Sequence, residues 1–267
     1  MTGSARRRTG DSRYGGRVPL VAAAVCPHPP LLVPEVAGSA APELDDLRAA
    51  CDTAVRRLLA TDPDIVVLVG TGPVTGPIRT PATGSLQPWG VDLDVPLVPG
   101  QPDRGAVLPL SLTIGAWLLN QHAASQPNHH AASLPAGARV TAVQVTADAG
   151  PAELAALADE VGAAGDRVAS LVLGDGSACR GEKAPGYDDA RALPYDQGVA
   201  AALADADLDA LLDLDPVVST ELKAAGRAPW QVLAGAARAA GGGWRGELLH
   251  DSAPYGVAYF VASWERV

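Results

Sequence analysis

The stretch Val21-Ala-Ala-Ala-Val-Cys-Pro-His-Pro-Pro-Leu-Leu-Val-Pro-Glu35 decides how this chain is expected to fold. It opens with an apolar run of the length of a buried strand, and that run breaks at Pro27. Pro29 and Pro30 each hold φ at about −65°, so the segment that carries His28 is stiff. Because ligands and metals collect where the strands of open α/β sheets end, His28 is well placed for chemistry. The alternative is that His28 only makes a hydrogen bond within a proline-rich loop.

Outward from this stretch, helices and strands alternate along the chain. Apolar residues at helical spacing, with Pro42 in the first turn, acidic residues early and arginines late, predict a helix over 42–59. The apolar run Ile65-Val-Val-Leu-Val69 predicts a buried strand soon after it. Further strands are predicted over 91–95, 140–146, 168–174, 244–249 and 256–263, and further helices over 108–120, 151–161, 194–204, 208–214, 216–225 and 230–240.

This order of elements predicts an α/β protein. Strand, helix and strand in succession favour right-handed parallel crossovers. Neither an internal repeat nor a linker divides the chain, so we expect a single domain over 18–267. Its expected architecture is three-layer, α/β/α, with a central mixed, mostly parallel sheet. Residues 1–17, which include Arg6-Arg-Arg8, are expected to be a disordered basic tail or the product of a misassigned start codon.

Composition and charge argue against several classes of function. The formal net charge of −10 disfavours nucleic acid or an anionic membrane as a partner, and no apolar run approaches the length of a membrane span. Cys26, Cys51 and Cys179 are widely spaced, so neither a disulfide framework nor a zinc knuckle is indicated. We therefore expect a cytoplasmic protein, bacterial by its Ala, Gly, Pro and Arg bias. Helices 108–120 and 230–240 are expected to supply the interface of a homo-oligomer.

The remaining histidines are candidate pocket or metal residues. His122, His129 and His130 suggest a metal site, but no carboxylate lies near them in sequence, and a solvated loop is the favoured interpretation. His250 begins the segment that joins the last two predicted strands. We interpret it as making a structural hydrogen bond, with a place in the pocket as the alternative.

Two further polar positions have both a chemical and a structural interpretation. Ser177, in Gly174-Asp-Gly-Ser177, suggests a hydrolase nucleophile, but the motif departs from the Gly-x-Ser-x-Gly elbow. A polar turn in which Asp175 caps the following segment is favoured instead. Arg227 either binds an anion at a helix boundary or satisfies carbonyls left by the preceding helix.

Several motifs together resemble a known family. They are Pro27-His-Pro-Pro30, Gly70-Thr-Gly-Pro73, Gly174-Asp-Gly-Ser177, Ala184-Pro-Gly-Tyr-Asp188, Leu208-Asp-Ala-Leu-Leu-Asp-Leu-Asp-Pro216, Gly226-Arg-Ala-Pro-Trp230 and Glu247-Leu-Leu-His-Asp-Ser-Ala-Pro-Tyr-Gly256. Their order resembles that of the class III extradiol (LigB-type) ring-opening dioxygenases and the related Memo-like proteins. The resemblance extends over nearly all of the chain from Val18 onward.

The resemblance implies a non-haem Fe(II) site at the carboxyl edge of the sheet, where two histidines and a carboxylate leave positions open for a catecholic substrate and O₂. A separate histidine would act as acid and base. His28 matches the first histidine ligand, but Thr71 stands at the second and Ala178 at the acid/base position. Ala225 stands at the carboxylate position, and the nearest carboxylate, Glu221, lies one turn earlier.

Two hypotheses follow. The favoured one is a catalytically degenerate family member, a pseudo-enzyme that binds a small aromatic ligand or a partner. Its pocket candidates are His28, Thr71, Asp175, Ser177, Glu221, Arg227 and His250. The alternative is an active dioxygenase that binds Fe(II), or another divalent metal, through His28 and Glu221, with His250 or the 122–130 segment completing the ligand set.

Overall fold

The computed structural model describes residues 20–98, 100, 105–124 and 137–267. The predicted basic tail over 1–17, together with His129 and His130, lies outside the described residues. No helix in the described part of the chain is both long and apolar enough to cross a membrane.

Strands and helices alternate through most of the described chain. The strands are β1 (Leu20–Cys26), β2 (Ile65–Thr71), β3 (Gly76–Pro77), β4 (Ala82–Ser85), β5 (Asp94–Pro96), β6 (Ala106–Val107), β7 (Arg139–Val145), β8 (Val168–Leu173), β9 (Trp244–Ser252) and β10 (Tyr259–Arg266). The helices are α1 (Pro34–Ala37), α2 (Asp45–Leu59), α3 (Leu110–Ala124), α4 (Pro151–Gly162), α5 (Ala192–Asp205), α6 (Leu208–Leu212), α7 (Pro216–Glu221) and α8 (Arg227–Ala240).

A seven-stranded mixed sheet organises the protein, in the order β3-β7-β2-β8-β1-β10-β9. The neighbours β7, β2, β8 and β1 pair in parallel, and the outer pairs are antiparallel. The parallel strands are apolar runs because helices cover both of their faces. The predicted α/β class and mixed sheet are therefore confirmed.

Helices pack on both faces of this sheet. Alternate residues of β1 separate the two layers: Ala23 and Val25 face α4, α5 and α8, whereas Ala24 and Cys26 face α2 and α3. This arrangement confirms the three-layer architecture. Nearly all the described side chains of α3 and α8 are buried in the two cores, so these helices expose little surface to a second copy of the chain, and the homo-oligomer stays a prediction.

One local feature was not predicted, and two local predictions need correction. A second, three-stranded sheet, β5-β4-β6, was not predicted. Pro42 lies inside a 3-10 segment, Gly38–Leu44, and α2 begins only at Asp45. His250 does not begin a loop, because β9 continues through it to Ser252 beside an irregularity in its pairing with β10.

Candidate functional site

His28 and Asp175 lie side by side at the carboxyl edge of the sheet. The two strands that precede them, β1 and β8, are parallel neighbours, and their last residues, Cys26 and Leu173, are register partners. The His28 backbone N–H donates to Asp175 Oδ1 at 2.8 Å. The His28 side chain is also close to this carboxylate, with Nδ1 3.5 Å from Oδ1. We call His28, Thr71, Asp175 and the Ala225-Gly226 turn the strand-edge site.

Two features of this pair point to chemistry. His28 is only 8% exposed, and its Nδ1 is buried with no hydrogen-bond partner among the described residues. Burial raises the pKa of the Asp175 carboxyl, although the nearby His28 imidazole and its backbone N–H oppose part of this shift. Asp175 therefore takes up a proton more readily than an exposed aspartate. The expectation that Asp175 caps the following segment is wrong, because its carboxylate accepts from His28.

Thr71 and the turn before α8 close the other side of the site. Thr71 Oγ1 donates to the Ala225 carbonyl at 3.4 Å, and the Gly226 N–H donates to the Asp175 carbonyl at 2.8 Å. Ser111 in α3 donates to the Thr71 carbonyl at 2.6 Å and so fixes the end of β2. The two positions at which the resemblance places the second and third iron ligands are thus in contact, but they carry a threonine and an alanine.

Ser177 belongs to a buried hydrogen-bond cluster beside the site. Its backbone N–H and its hydroxyl donate to the two carboxylate oxygens of Asp196, at 2.8 and 2.6 Å. Arg180 Nη1 is 3.8 Å from the same carboxylate. Burial raises the pKa of Asp196, partly opposed by the bonds from Ser177. The partner of the Ser177 hydroxyl is therefore a carboxylate and not a histidine, which does not favour hydrolase chemistry. Ala178, the next residue, has no side-chain group that could transfer a proton. Its backbone N–H donates to the Leu222 carbonyl.

Glu221 and His250 are not joined to His28. Glu221 is exposed at the end of α7, where its carboxylate pairs with Arg191 at 2.6 Å. His250 Nε2 lies 2.7 Å from the Ser252 hydroxyl, and burial lowers the pKa of His250. The favoured interpretation of His250, a structural hydrogen bond, agrees with this contact.

Two other predicted residues also have protein partners. His122 lies in α3 and not in a loop, with Nδ1 3.4 Å from an Asp52 carboxylate oxygen. Arg227 begins α8, and its guanidinium donates to the carbonyls of Ala147 and Ala149, which follow β7. It therefore does not satisfy carbonyls of the preceding helix.

The described residues do not fit a two-histidine, one-carboxylate iron site. Among them, no group of three or more His, Cys, Asp or Glu side chains could hold a metal ion. At the strand edge, only His28 and Asp175 offer the usual donor atoms, and Thr71 and Ala225 occupy the positions where further ligands would be needed.

Comparisons with known proteins bear on the fold alone. No family model matches the chain, and no curated protein matches it. Among solved structures, an uncharacterized protein from Escherichia coli K12, JW3007, is similar at 14% sequence identity and a TM-score of 0.50. The match covers 92% of this chain and 99% of that chain. At this identity the likeness supports a shared architecture.

Sequence reasoning missed the role of Asp196. This residue lies in the first half of α5, where a polar side chain usually faces water, yet it is buried and holds the Ser177 loop. Neither spacing nor a motif relates Asp196 to Ser177. Only the packing of α5 against the loop after β8 could have identified it.

Proposed function

We propose that this chain is a catalytically degenerate relative of the extradiol dioxygenases whose strand-edge site binds a small aromatic ligand that carries hydroxyl groups. The observation that carries the proposal is the contact between Thr71 and Ala225. Thr71 and Ala225 cannot replace a histidine and a carboxylate as metal ligands. They are in contact within the same site as His28, which is the residue that matches a ligand of the family.

The energetics of metal binding support the loss of iron chemistry. A two-histidine, one-carboxylate site uses three protein donors, and His28 supplies one of them. Changes to residues that only orient the ligands already cost about ten- to a hundredfold in affinity, so the replacement of two ligands is expected to cost more. Glu221 is held by Arg191 and does not compensate.

The polar groups at the strand edge support a ligand with hydroxyl groups. His28 Nδ1 is buried without a hydrogen-bond partner among the described residues, and Asp175 Oδ1 lies 3.5 Å from it. A ligand hydroxyl that reaches this nitrogen, after the loop around it shifts, would supply the missing hydrogen bond. Asp175, with its raised pKa, can offer either a proton or a lone pair to a second hydroxyl. Two adjacent hydroxyl groups on an aromatic ring suit this pair, as the family's catecholic substrates imply.

The test compares wild-type protein with His28→Ala, both purified anaerobically. Iron content and Fe(II) affinity are measured first, and catechol binding is then measured by calorimetry. We expect no stoichiometric iron in either protein, and catechol binding that weakens by roughly three- to tenfold in His28→Ala through loss of one hydrogen bond. The control is Glu221→Gln, an exposed position that should leave catechol binding unchanged.

Two results would contradict the proposal. Stoichiometric iron that is lost in His28→Ala would establish the alternative, an active Fe(II) dioxygenase, and oxygen uptake with catechols would be measured next. Absence of both iron and catechol binding would overturn the assignment of an aromatic ligand.

Composition supports the remaining parts of the proposal. We infer a cytoplasmic protein that does not bind nucleic acid, because the net charge is −10 and the three cysteines are free thiols. The Ala, Gly, Pro and Arg bias supports a bacterial origin. Because α3 and α8 are mostly buried, we propose that the homo-oligomer uses other surfaces of the chain. Sedimentation of the purified protein measures its assembly, and a shift on addition of DNA or RNA would contradict the expected lack of nucleic-acid binding.

A further inference from the structure

A cavity away from the strand-edge site adjoins Arg227, the first residue of α8. Its volume is about 680 Å³, within the range of small-molecule sites, and α4, α8 and the α6–α7 connection enclose it. Most of its walls are apolar, including Pro151, Leu154, Ala158, Leu212, Leu214 and Gly235. His28, Thr71 and Asp175 do not line it. We call it the α4–α8 cavity.

A buried cation forms part of the lining. Arg227 is only 3% exposed, and its guanidinium carries five N–H donors. Three hydrogen bonds are formed, to the carbonyls of Ala147 and Ala149 and to Gln231 Oε1 at 2.8 Å. All three acceptors are neutral. Among the described residues, no carboxylate forms an ion pair with Arg227 and two of its N–H donors have no acceptor.

Gln231 holds this arginine in place from the next turn of α8. Its side-chain oxygen accepts from Arg227, and its Nε2 donates to the carbonyls of Leu212 and Leu214 at 2.8 and 3.1 Å. The arginine, the helix and the far wall of the cavity are thereby fixed to one another. Because the Arg227 guanidinium is already held in one position, a ligand that binds to it would not incur the entropic cost of ordering this side chain.

Carboxylates also line the α4–α8 cavity, but they are exposed. They are Asp148, Asp159, Asp213 and Asp215. The Asp215 carboxylate already accepts from the backbone N–H groups of Val217 and Val218. The other cation of the lining, Arg238, pairs with Asp209. Asp148 attracts the Arg227 cation, but water screens exposed charges far more than buried ones, so this carboxylate offsets the charge only in part and Arg227 is the buried charge of the cavity.

We infer that the α4–α8 cavity is a second binding site, for a small carboxylate with an apolar body. The carboxylate lies against the free N–H groups of Arg227, since a guanidinium binds this group with paired, charge-assisted hydrogen bonds. The apolar body fills the space between α4 and α8. This site is independent of the ligand proposed for the strand edge, because the two share no lining side chain among those named.

The test uses three probes with one carbon skeleton. Binding of 3-phenylpropanoate, 3-phenylpropanamide and 3-phenylpropylamine is measured by calorimetry on the full chain. We expect the carboxylate to bind roughly ten- to a hundredfold more tightly than the neutral amide, which is the usual contribution of a hydrogen bond to a charged group. The amine should bind no better than the amide.

Two variants locate the site. Arg227→Met should abolish the preference for the carboxylate over the amide. Because removal of a buried arginine can impair folding, Ala155→Trp provides a second arm: Ala155 is exposed at the cavity lining, so the indole blocks the space without disturbing the core. Ala156→Trp, on the same helix but outside the lining, is the matched control and should bind as wild type.

Three results would overturn the inference. They are equal affinity for carboxylate and amide, no saturable binding of 3-phenylpropanoate at millimolar concentrations, and unchanged binding in Ala155→Trp. Tighter binding of the amine than of the carboxylate would instead assign the exposed aspartates as the recognition groups.

Discussion

The strand-edge site and the α4–α8 cavity adjoin the same short turn but differ in the ionisable groups that they bury. At the strand edge, two carboxyls are buried near His28, those of Asp175 and the nearby Asp196, and burial raises the pKa of both. In the cavity, the buried group is the Arg227 cation, and burial lowers its pKa. Ala225 and Gly226 belong to the strand-edge site, whereas the next residue, Arg227, lines the cavity. The two regions are proposed to bind different ligands. The comparison teaches that neighbours in sequence need not serve one site.

The largest loss of stability is expected when Asp196, which holds the loop after β8 through Ser177, is replaced. Asp196→Ala leaves the backbone N–H and hydroxyl of Ser177 buried without acceptors. Each of the two donors left without an acceptor costs about 1–3 kcal/mol, so the free energy of unfolding, measured by urea denaturation, should fall by about 2–6 kcal/mol. The cavity is held by the hydrogen bonds of Gln231, which this substitution does not remove. The folded variant, without urea, should therefore still bind 3-phenylpropanoate.

Asp196→Asn is the matched variant for this prediction. Its side-chain oxygen can still accept from the Ser177 N–H, and its amide can donate to the hydroxyl. We expect it to lose clearly less stability than Asp196→Ala. Equal losses in the two variants would show that the charge of Asp196, and not its hydrogen bonds, holds the loop.

A smaller effect is expected at the turn that both regions share. In Gly226→Ala, the new Cβ would lie 2.1 Å from the ring of Trp230, which is completely buried and cannot move away. Overpacking of this kind typically costs about 1–3 kcal/mol. Because Gly226 also bonds to Asp175 and precedes Arg227, ligand binding should weaken in both regions.

Gly198→Ala provides the control for this substitution. Gly198 lies in the exposed middle of α5, where a Cβ would meet no atom within 4 Å. Alanine should stabilise this helix by about 0.5–1 kcal/mol and leave both regions unchanged. A Gly226→Ala protein as stable as Gly198→Ala would contradict the close packing of α8 against the strand edge.

Much of the fold could be predicted because the central strands are unambiguous in sequence. β1, β2 and β8 are apolar runs of strand length, as parallel strands buried on both faces must be. β4 has no such signal. It forms where Gly84 allows the chain to lie against Thr113 of α3, and any Cβ would clash with that side chain. The packing of Gly84 against Thr113 depends on the lack of a side chain at position 84, so it produces no apolar pattern in the sequence that would predict β4.

The candidate site could be predicted only in part. His28 and Asp175 each follow a predicted strand, but their contact depends on β1 and β8 being neighbours, and local sequence does not specify strand order. The α4–α8 cavity depends on Gln231 bridging Arg227 to the α6–α7 connection. The resemblance drew attention to the positions that lack ligands, whereas the cavity is formed by tertiary contacts that no motif describes.

The smallest effect is expected from removing the charge of Asp175 while keeping its shape. Asp175→Asn retains an oxygen that can accept from the His28 N–H, but it cannot ionise. Burial raises the folded-state pKa of Asp175 above its unfolded value, so ionisation of the wild type costs stability as the pH rises through the folded pKa. Asp175→Asn avoids this cost. It should therefore be more stable than wild type at pH 7, and the difference should vanish near pH 3, where the carboxyl is protonated in both states.

Urea denaturation of both proteins across this pH range measures the difference, with Asp188→Asn, an exposed loop position, as a control that should show none. A stability gain of Asp175→Asn that persists at low pH would mean that its amide makes new hydrogen bonds. A loss at pH 7 would mean that the ionised carboxylate is favoured by its attraction to His28, which lies 3.5 Å away. In that case Asp175 would be an ionised carboxylate paired with His28. The two regions would then differ because Arg227, in the cavity, has no ion-pair partner among the described residues.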